Sequence, residues 1–269
     1  MSDAQLRVAL VQLEIAWEDP AKTFLRARPW LEHAKSAGAR LAILPEMFAT
    51  GFSMAAERIA EPEGGPIERW LGETARALDL WLVAGVAQRP SGDATGSLPV
   101  NAALVVSPSG AIAARYHKVH PFSFAREHEH YRGGDGVATA AIEGARVTPI
   151  VCYDLRFPEL FRVAADSTDV FVVIANWPAA RRAHWQTLLR ARAIENQAWV
   201  LGVNRVGEGG GLAYAGDSMV VAPDGEVIAS AAMTETALVV DCDCARVDFA
   251  RASFPVLRDR RPDAYRTIR

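Results

Sequence analysis

The chain repeats itself once. Val105-Val106-Ser107-Pro108-Ser109-Gly110 recurs as Val220-Val221-Ala222-Pro223-Asp224-Gly225, and Leu82-Val83-Ala84-Gly85-Val86 resembles Val200-Leu201-Gly202-Val203. Both recurrences lie roughly 115 residues apart, far beyond the ~20–50 residues of a solenoid period, so each copy is half a domain rather than one unit of an array. Arg7-Val8-Ala9-Leu10-Val11 likewise parallels Arg146-Val147-Thr148-Pro149-Ile150, and the stretch from Ala39 to Glu46 parallels that from Asp169 to Trp177. Each half then reads as strand, helix, strand, helix, strand, hairpin. Two sheets, each covered by helices on one face, can bury their other faces against each other. The expected fold is α/β, a four-layer α-β-β-α sandwich of two similar halves forming a single domain over residues 1–269.

Apolar periodicity places the elements. Leu6 to Ile15 runs as a first strand, and Asp19-Pro20 opens a helix reaching about Ala37. Ala39 to Leu44 is a buried strand that stops at Pro45-Glu46, followed by an aromatic loop, Met47 to Ser53, without a sustained period. Pro66 to Leu78 is helical, and Leu80 to Gln88 is a strand. A hairpin turning at Pro108-Ser109-Gly110 delivers His117-Lys118. The apolar run Thr148 to Val151 ends in Cys152, and Pro158 opens a helix to Ala165. The thiol would then stand at a strand's carboxyl end, where open α/β sheets place their ligands. A lone cysteine in a core strand can equally be a small buried hydrophobe.

Composition excludes several classes. Of 269 residues, 50% are hydrophobic and 23% charged, which suits a globular chain with ample core. The net charge of -3 supplies no basic field for nucleic acid or an anionic membrane. Cys152, Cys242 and Cys244 are too few and too unevenly placed for a disulfide framework. Met1-Ser2-Asp3-Ala4-Gln5 lacks the basic and apolar regions of a signal peptide, and no apolar run approaches the ~18 residues of a membrane span. The expectation is a cytoplasmic protein.

A free thiol is only a few per cent thiolate at neutral pH and needs a base or a cation. Glu46 and Lys118 would supply both if their strand ends converge on Cys152: the lysine favours the thiolate and steadies an oxyanion, the glutamate shuttles the proton. Taken singly, a lysine after a strand is usually solvated.

Together, Leu44-Pro45-Glu46, Tyr116-His117-Lys118 and Val151-Cys152-Tyr153-Asp154-Leu155-Arg156-Phe157-Pro158-Glu159 resemble the signatures of the nitrilase superfamily of carbon-nitrogen hydrolases, in order, from Arg7 to about Asp243. The resemblance implies the same sandwich and a Glu46-Lys118-Cys152 triad. It also implies a second glutamate, matched by Glu127 ahead of Gly134-Asp135, with Glu129 close by. Glu46 to Ser53, Asn176-Trp177-Pro178-Ala179-Ala180-Arg181, Arg190 to Gln197 and Gly202 to Gly207 are similar to the omega-amidase branch. That branch hydrolyses the terminal amide of 2-oxoglutaramate and 2-oxosuccinamate through a cysteine thioester. No metal or organic cofactor is implied. The oxyanion would be held by Lys118 and the backbone N–H of Tyr153. Arg156, Phe48, Trp177 and Arg181 are the candidate substrate-binding residues.

Other readings stand beside these. The partner is a small-molecule amide, but the triad does not choose among amides, nitriles and N-carbamoyl compounds, and a non-catalytic binding or assembly protein of the same fold is the alternative class. A papain-like site would pair Cys152 with a histidine and Asn176. His117, His120, His128 and His130 with Glu127 and Glu129 lack a zinc spacing. Gly207-Glu208-Gly209-Gly210-Gly211 reads as a flexible turn rather than a phosphate loop. Arg181 to Asn196 has apolar residues on two faces: Trp185, Leu188 and Leu189 on one, Ala183, Thr187 and Ile194 on the other. One face would meet the sheet. The other would meet either this chain or a second subunit, as in the family's common dimer. Arg156 would either clamp a substrate carboxylate or pair with Asp154 or Glu159.

Overall fold

A computed structural model describes residues 5–267, so the reading of Met1 to Ala4 lies outside the described residues. The first half runs β1 (Gln5–Gln12), α1 (Pro20–Ser36), β2 (Leu41–Ile43), α2 (Ala56–Ile59), β3 (Glu61–Pro62), α3 (Pro66–Leu78), β4 (Trp81–Arg89), β5 (Val100–Val106) and β6 (Ile112–His117). The second runs β7 (Ala140–Ile142), β8 (Ala145–Val151), α4 (Pro158–Ala164), β9 (Val170–Ala175), α5 (Arg182–Asn196) and β10 (Trp199–Asn204). It continues through β11 (Val206–Gly209), β12 (Leu212–Ala215), β13 (Met219–Val221), β14 (Val227–Ser230) and β15 (Thr236–Asp243) to α6 (Ala245–Ser253) and α7 (Pro262–Thr267).

The two sheets carry the repeat strand for strand. One is ordered β15-β1-β2-β4-β5-β6 and the other, read in the corresponding direction, β7-β8-β9-β10-β13-β14. In each, parallel pairs lead into an antiparallel hairpin, and the pairing register shifts at Val105/Val106 in one and at Val220/Val221 in the other. The recurrent valine pair therefore marks the same irregularity twice.

Alternation decides which side chains face which layer. Along β1, Val8 and Leu10 join the cluster with Ile150, Val172 and Leu201 of the second sheet, whereas Ala9 and Val11 pack with Leu31 of α1 and Leu71 of α3. Helices α1 and α3 cover the first sheet, α4 and α5 lie on the second side, and β1 meets β10 and β5 meets β8 across the middle. Each fully buried Leu or Ile in these layers is worth ~1.5–3 kcal/mol.

Local signals set the helix starts. Asp19 Oδ1 accepts the N–H of Lys22 ahead of Pro20, an N-cap with proline in the first turn. At α3 the cap position is Gly65, and Glu61 Oε1 supplies the missing acceptor to the N–H groups of Ile67 and Glu68.

Two expectations change. Gly207 to Gly211 is not a free turn: it carries the end and tip of a β11–β12 ribbon, paired from Val206↔Ala215 to Gly209↔Leu212. On α5, Trp185 and Leu189 are buried, but Ala183, Thr187 and Ile194 are exposed, so no element among the described residues covers the second face.

Candidate active site

The carboxyl ends of β2, β6 and β8 meet at one edge and bring Glu46, Lys118 and Cys152 together. A Cβ on Gly85 of β4 would lie 2.4 Å from Met47 N and 2.5 Å from Glu46 Cα, so only glycine lets β4 pass behind the glutamate. Both Met47 (φ 42°) and Cys152 (φ 47°) take the left-handed conformation, which costs a non-glycine residue about 1–3 kcal/mol and is held here by the strands around it. The turn at Cys152 ends β8 and opens the 3-10 segment Cys152–Arg156.

Charge is dense and fully buried. Lys118 Nζ lies 3.1 Å from Glu46 Oε1 and 2.8 Å from Glu127 Oε2. Glu46 also accepts Asn101 Nδ2 at 2.7 Å and the backbone N–H of Asn176 at 2.8 Å. Glu127 accepts the same Asn101 Nδ2 at 3.0 Å and the N–H of Phe122 at 2.5 Å. Burial lowers the Lys118 pKa, but Glu127 and Glu46 outweigh it, so the ammonium is held well above its ordinary value. Lys118 pulls the Cys152 thiol toward its charged form. Burial and then the charge of Glu46 push the thiol well above its ordinary value, and Lys118 only opposes them.

A second network ties the lysine's strand to the turn at Cys152. Asp154, fully buried, accepts the Tyr116 hydroxyl at 2.6 Å, the His120 N–H at 2.8 Å and lies 2.7 Å from His120 Nδ1. His120 stacks on Phe157 at 3.7 Å. That histidine faces Asp154, His128 is exposed, and among the described residues no three of His, Cys, Asp or Glu group as metal ligands would. Glu129 is exposed and paired with Arg126, which leaves Glu127 as the glutamate of the site.

The thiol opens into a cavity of about 260 Å³, whose lining includes Phe52, Tyr153, Arg156, Trp177, Arg181 and Tyr214. A larger groove of about 910 Å³, between α5 and the C-terminal helices, contains none of the triad. Arg156 lies 4.7 Å over the Trp177 ring and 6.0 Å from that of Tyr153, and Arg181 lies 5.5 Å over Phe122. Neither arginine pairs with a carboxylate among the described residues; Asp154 is taken by Tyr116 and His120. Burial and then the charge of Arg181 lower the Arg156 pKa from its ordinary value.

Phe48 is a correction. It is fully buried between the first sheet and its helices, 6.0 Å from Phe24 and 5.7 Å from Trp70. The turn at Met47, with Phe48 N–H donated to Gly85 O, sends this ring into the core and leaves Phe52 to line the cavity, 5.0 Å from Lys118 Nζ. Sequence reading also passes over Asn101, whose signal is an amide inside the apolar strand Val100–Val106. Tyr214 carries no such signal: it arrives on the β11–β12 ribbon, backed by the Arg205 guanidinium at 4.6 Å.

A buried Glu-Lys-Cys cluster thus stands at the strand ends of an α-β-β-α sandwich, and the carbon-nitrogen hydrolase family model matches residues 7–252; the chain belongs to that family, whose members are hydrolases of carbon-nitrogen bonds. It is 39% identical to the omega-amidase YafV of Escherichia coli (strain K12) over 94% of this chain and 96% of that protein. It is 31% identical to the 2-oxoglutaramate amidase of Bacillus subtilis (strain 168) over 96% and 98%. Among solved structures, XC1258 from Xanthomonas campestris, a CN-hydrolase superfamily protein with an arsenic adduct in its active site, superposes with a TM-score of 0.88 at 37% identity, over 96% of this chain and 97% of that one. No helix among the described residues is long and apolar enough to cross a membrane.

Proposed function

We propose that this hydrolase removes the terminal carboxamide of a small 2-oxo acid monoamide, 2-oxoglutaramate or 2-oxosuccinamate, giving the 2-oxo dicarboxylic acid and ammonia. The observation that carries the choice is Arg156: a guanidinium without a carboxylate partner among the described residues, lining the same small cavity as the Cys152 thiol. Its planar fork suits a carboxylate bidentately. Arg181 adds a second positive group on the same wall. Of the two named relatives, one is by its name an omega-amidase and the other a 2-oxoglutaramate amidase, which supports this reading.

The chemistry follows from the triad. Glu46 takes the thiol proton as sulfur bonds to the amide carbon, and the C–O π pair moves to oxygen. That oxyanion is met by Lys118 Nζ and by the N–H of Tyr153, which stands in the first turn of the 3-10 segment, where N–H groups have no internal partner. Collapse expels the amine, protonated by Glu46, as ammonia and leaves a thioester on Cys152. Glu46 then deprotonates water, which attacks the thioester, and returns the proton to sulfur. Glu127 holds Lys118 in place throughout. The exposed apolar side of α5 supports a homodimer or larger homo-oligomer.

Ammonia release from a panel tests the reading: 2-oxoglutaramate and 2-oxosuccinamate against a neutral amide, a nitrile and an N-carbamoyl amino acid. The 2-oxo acid monoamides are expected to have the highest kcat/KM. A nitrile or carbamoyl compound turned over faster would replace it with another activity of the same family.

A further inference from the structure

Arg156 has a neighbour that bond cleavage does not require. Its Nη2 lies 3.2 Å from Nδ1 of His184, which stands in the first turn of α5. A guanidinium has donors only, so Nδ1 must accept. Accepting there places the ring's proton on Nε2. The faces of Trp177 and Tyr153, 4.7 and 6.0 Å away, limit the guanidinium to lying along an aromatic surface, but stacking alone leaves it free to slide and turn. One in-plane hydrogen bond removes that freedom. A carboxylate at position 184 would hold Arg156 as firmly, but it would neutralise the charge and compete with an anionic substrate. A neutral acceptor holds the fork and leaves its charge for the ligand, with the remaining N–H donors free.

We propose that His184 is a positioning residue for substrate selection, its neutral Nδ1 fixing the Arg156 guanidinium at the cavity wall for the carboxylate of the amide substrate. The inference rests on the reading of Arg156 as the carboxylate site.

The test compares wild type, His184→Ala, His184→Asn and Arg156→Lys on 2-oxoglutaramate and on valeramide, a neutral amide of the same chain length. His184→Ala is expected to raise KM for 2-oxoglutaramate about tenfold with kcat changed far less, the scale of one hydrogen bond to a charged group. The preference for 2-oxoglutaramate over valeramide falls with it. His184→Asn, whose Oδ1 can accept in place of Nδ1, is expected to recover most of the loss, which a merely structural histidine would not show. Nitrogen NMR of histidine-labelled enzyme should find His184 Nδ1 without a proton. If His184→Ala leaves KM and preference unchanged while Arg156→Lys abolishes the preference, the role of His184 is overturned and the carboxylate site stands. If Arg156→Lys leaves the preference unchanged, the carboxylate site itself fails and His184 with it.

Discussion

Asn101 Nδ2 stands 2.7 Å from Glu46 Oε1, and the same nitrogen reaches Glu127 Oε1 at 3.0 Å. One amide thus spaces the two carboxylates that flank Lys118. Asn101→Ala removes a hydrogen bond to each and lets the carboxylates shift against the ammonium. The expected loss is about 10- to 100-fold in kcat, corresponding to ~1.5–3 kcal/mol for a hydrogen bond to a charged group. Steady-state kinetics with a melting curve beside them separate this from unfolding. Wild-type kcat in Asn101→Ala would show that the spacing is irrelevant to turnover.

The thiol should titrate above its ordinary range, because burial and Glu46 raise it and Lys118 only opposes them. Its reaction rate with a small neutral disulfide should keep climbing through mildly alkaline pH rather than level off near neutrality. Glu46→Gln removes a raising charge and should move the profile to lower pH; Lys118→Met removes the lowering charge and should move it higher. Both variants lose turnover, Lys118→Met by about 10²–10³ for a lost oxyanion donor. A profile that plateaus below neutral pH in wild type would mean a preformed thiolate.

Phe48 and Phe52 divide stability from binding. Phe48→Ala empties a site in the core and should cost about 3–5 kcal/mol of stability. Phe52→Ala, at the cavity wall, should raise KM while Tm barely moves. Thermal melts and Michaelis curves on the two variants check the division. The opposite pattern would mean that Phe52 rather than Phe48 enters the core.

Tyr214 links alkaline stability to the cavity wall. Burial pushes its hydroxyl up to about 12, against the opposing charge of Arg205, from an ordinary value of about 10. A raised folded pKa means that the folded state holds the proton longer, so the contribution is complete below about pH 10 and is lost as pH rises toward 12. Tyr214→Phe should flatten that part of the stability-versus-pH curve, measured by urea unfolding at fixed pH steps. An unchanged slope would assign the alkaline loss to other groups.

The layers and the triad were legible because each rests on short-range pattern. Apolar alternation marks the strands, the valine-turn-glycine recurrence exposes the two halves, Lys118 and Cys152 each follow a strand directly, and Glu46 comes three residues after the end of β2. What stayed hidden depends on backbone direction at a single residue or on distant chain. Phe48 and Phe52 share one aromatic loop, and only the left-handed turn at Met47 decides which enters the core. Tyr214 reaches the cavity on a glycine-tipped ribbon whose sequence reads as a loop. Asn101 was visible as an amide inside an apolar strand, but its partners lie 55 and 26 residues away.

The central claim joins one substrate to one sulfur. Wild type would be exposed briefly to 2-oxoglutaramate, quenched in acid, digested and mapped by mass spectrometry, with Cys152→Ala as the control. The expected result is a 2-oxoglutaryl group on the peptide carrying Cys152, absent from Cys152→Ala, which releases no ammonia. An adduct confined to Cys242 or Cys244, or ammonia release by Cys152→Ala at the wild-type rate, would contradict it.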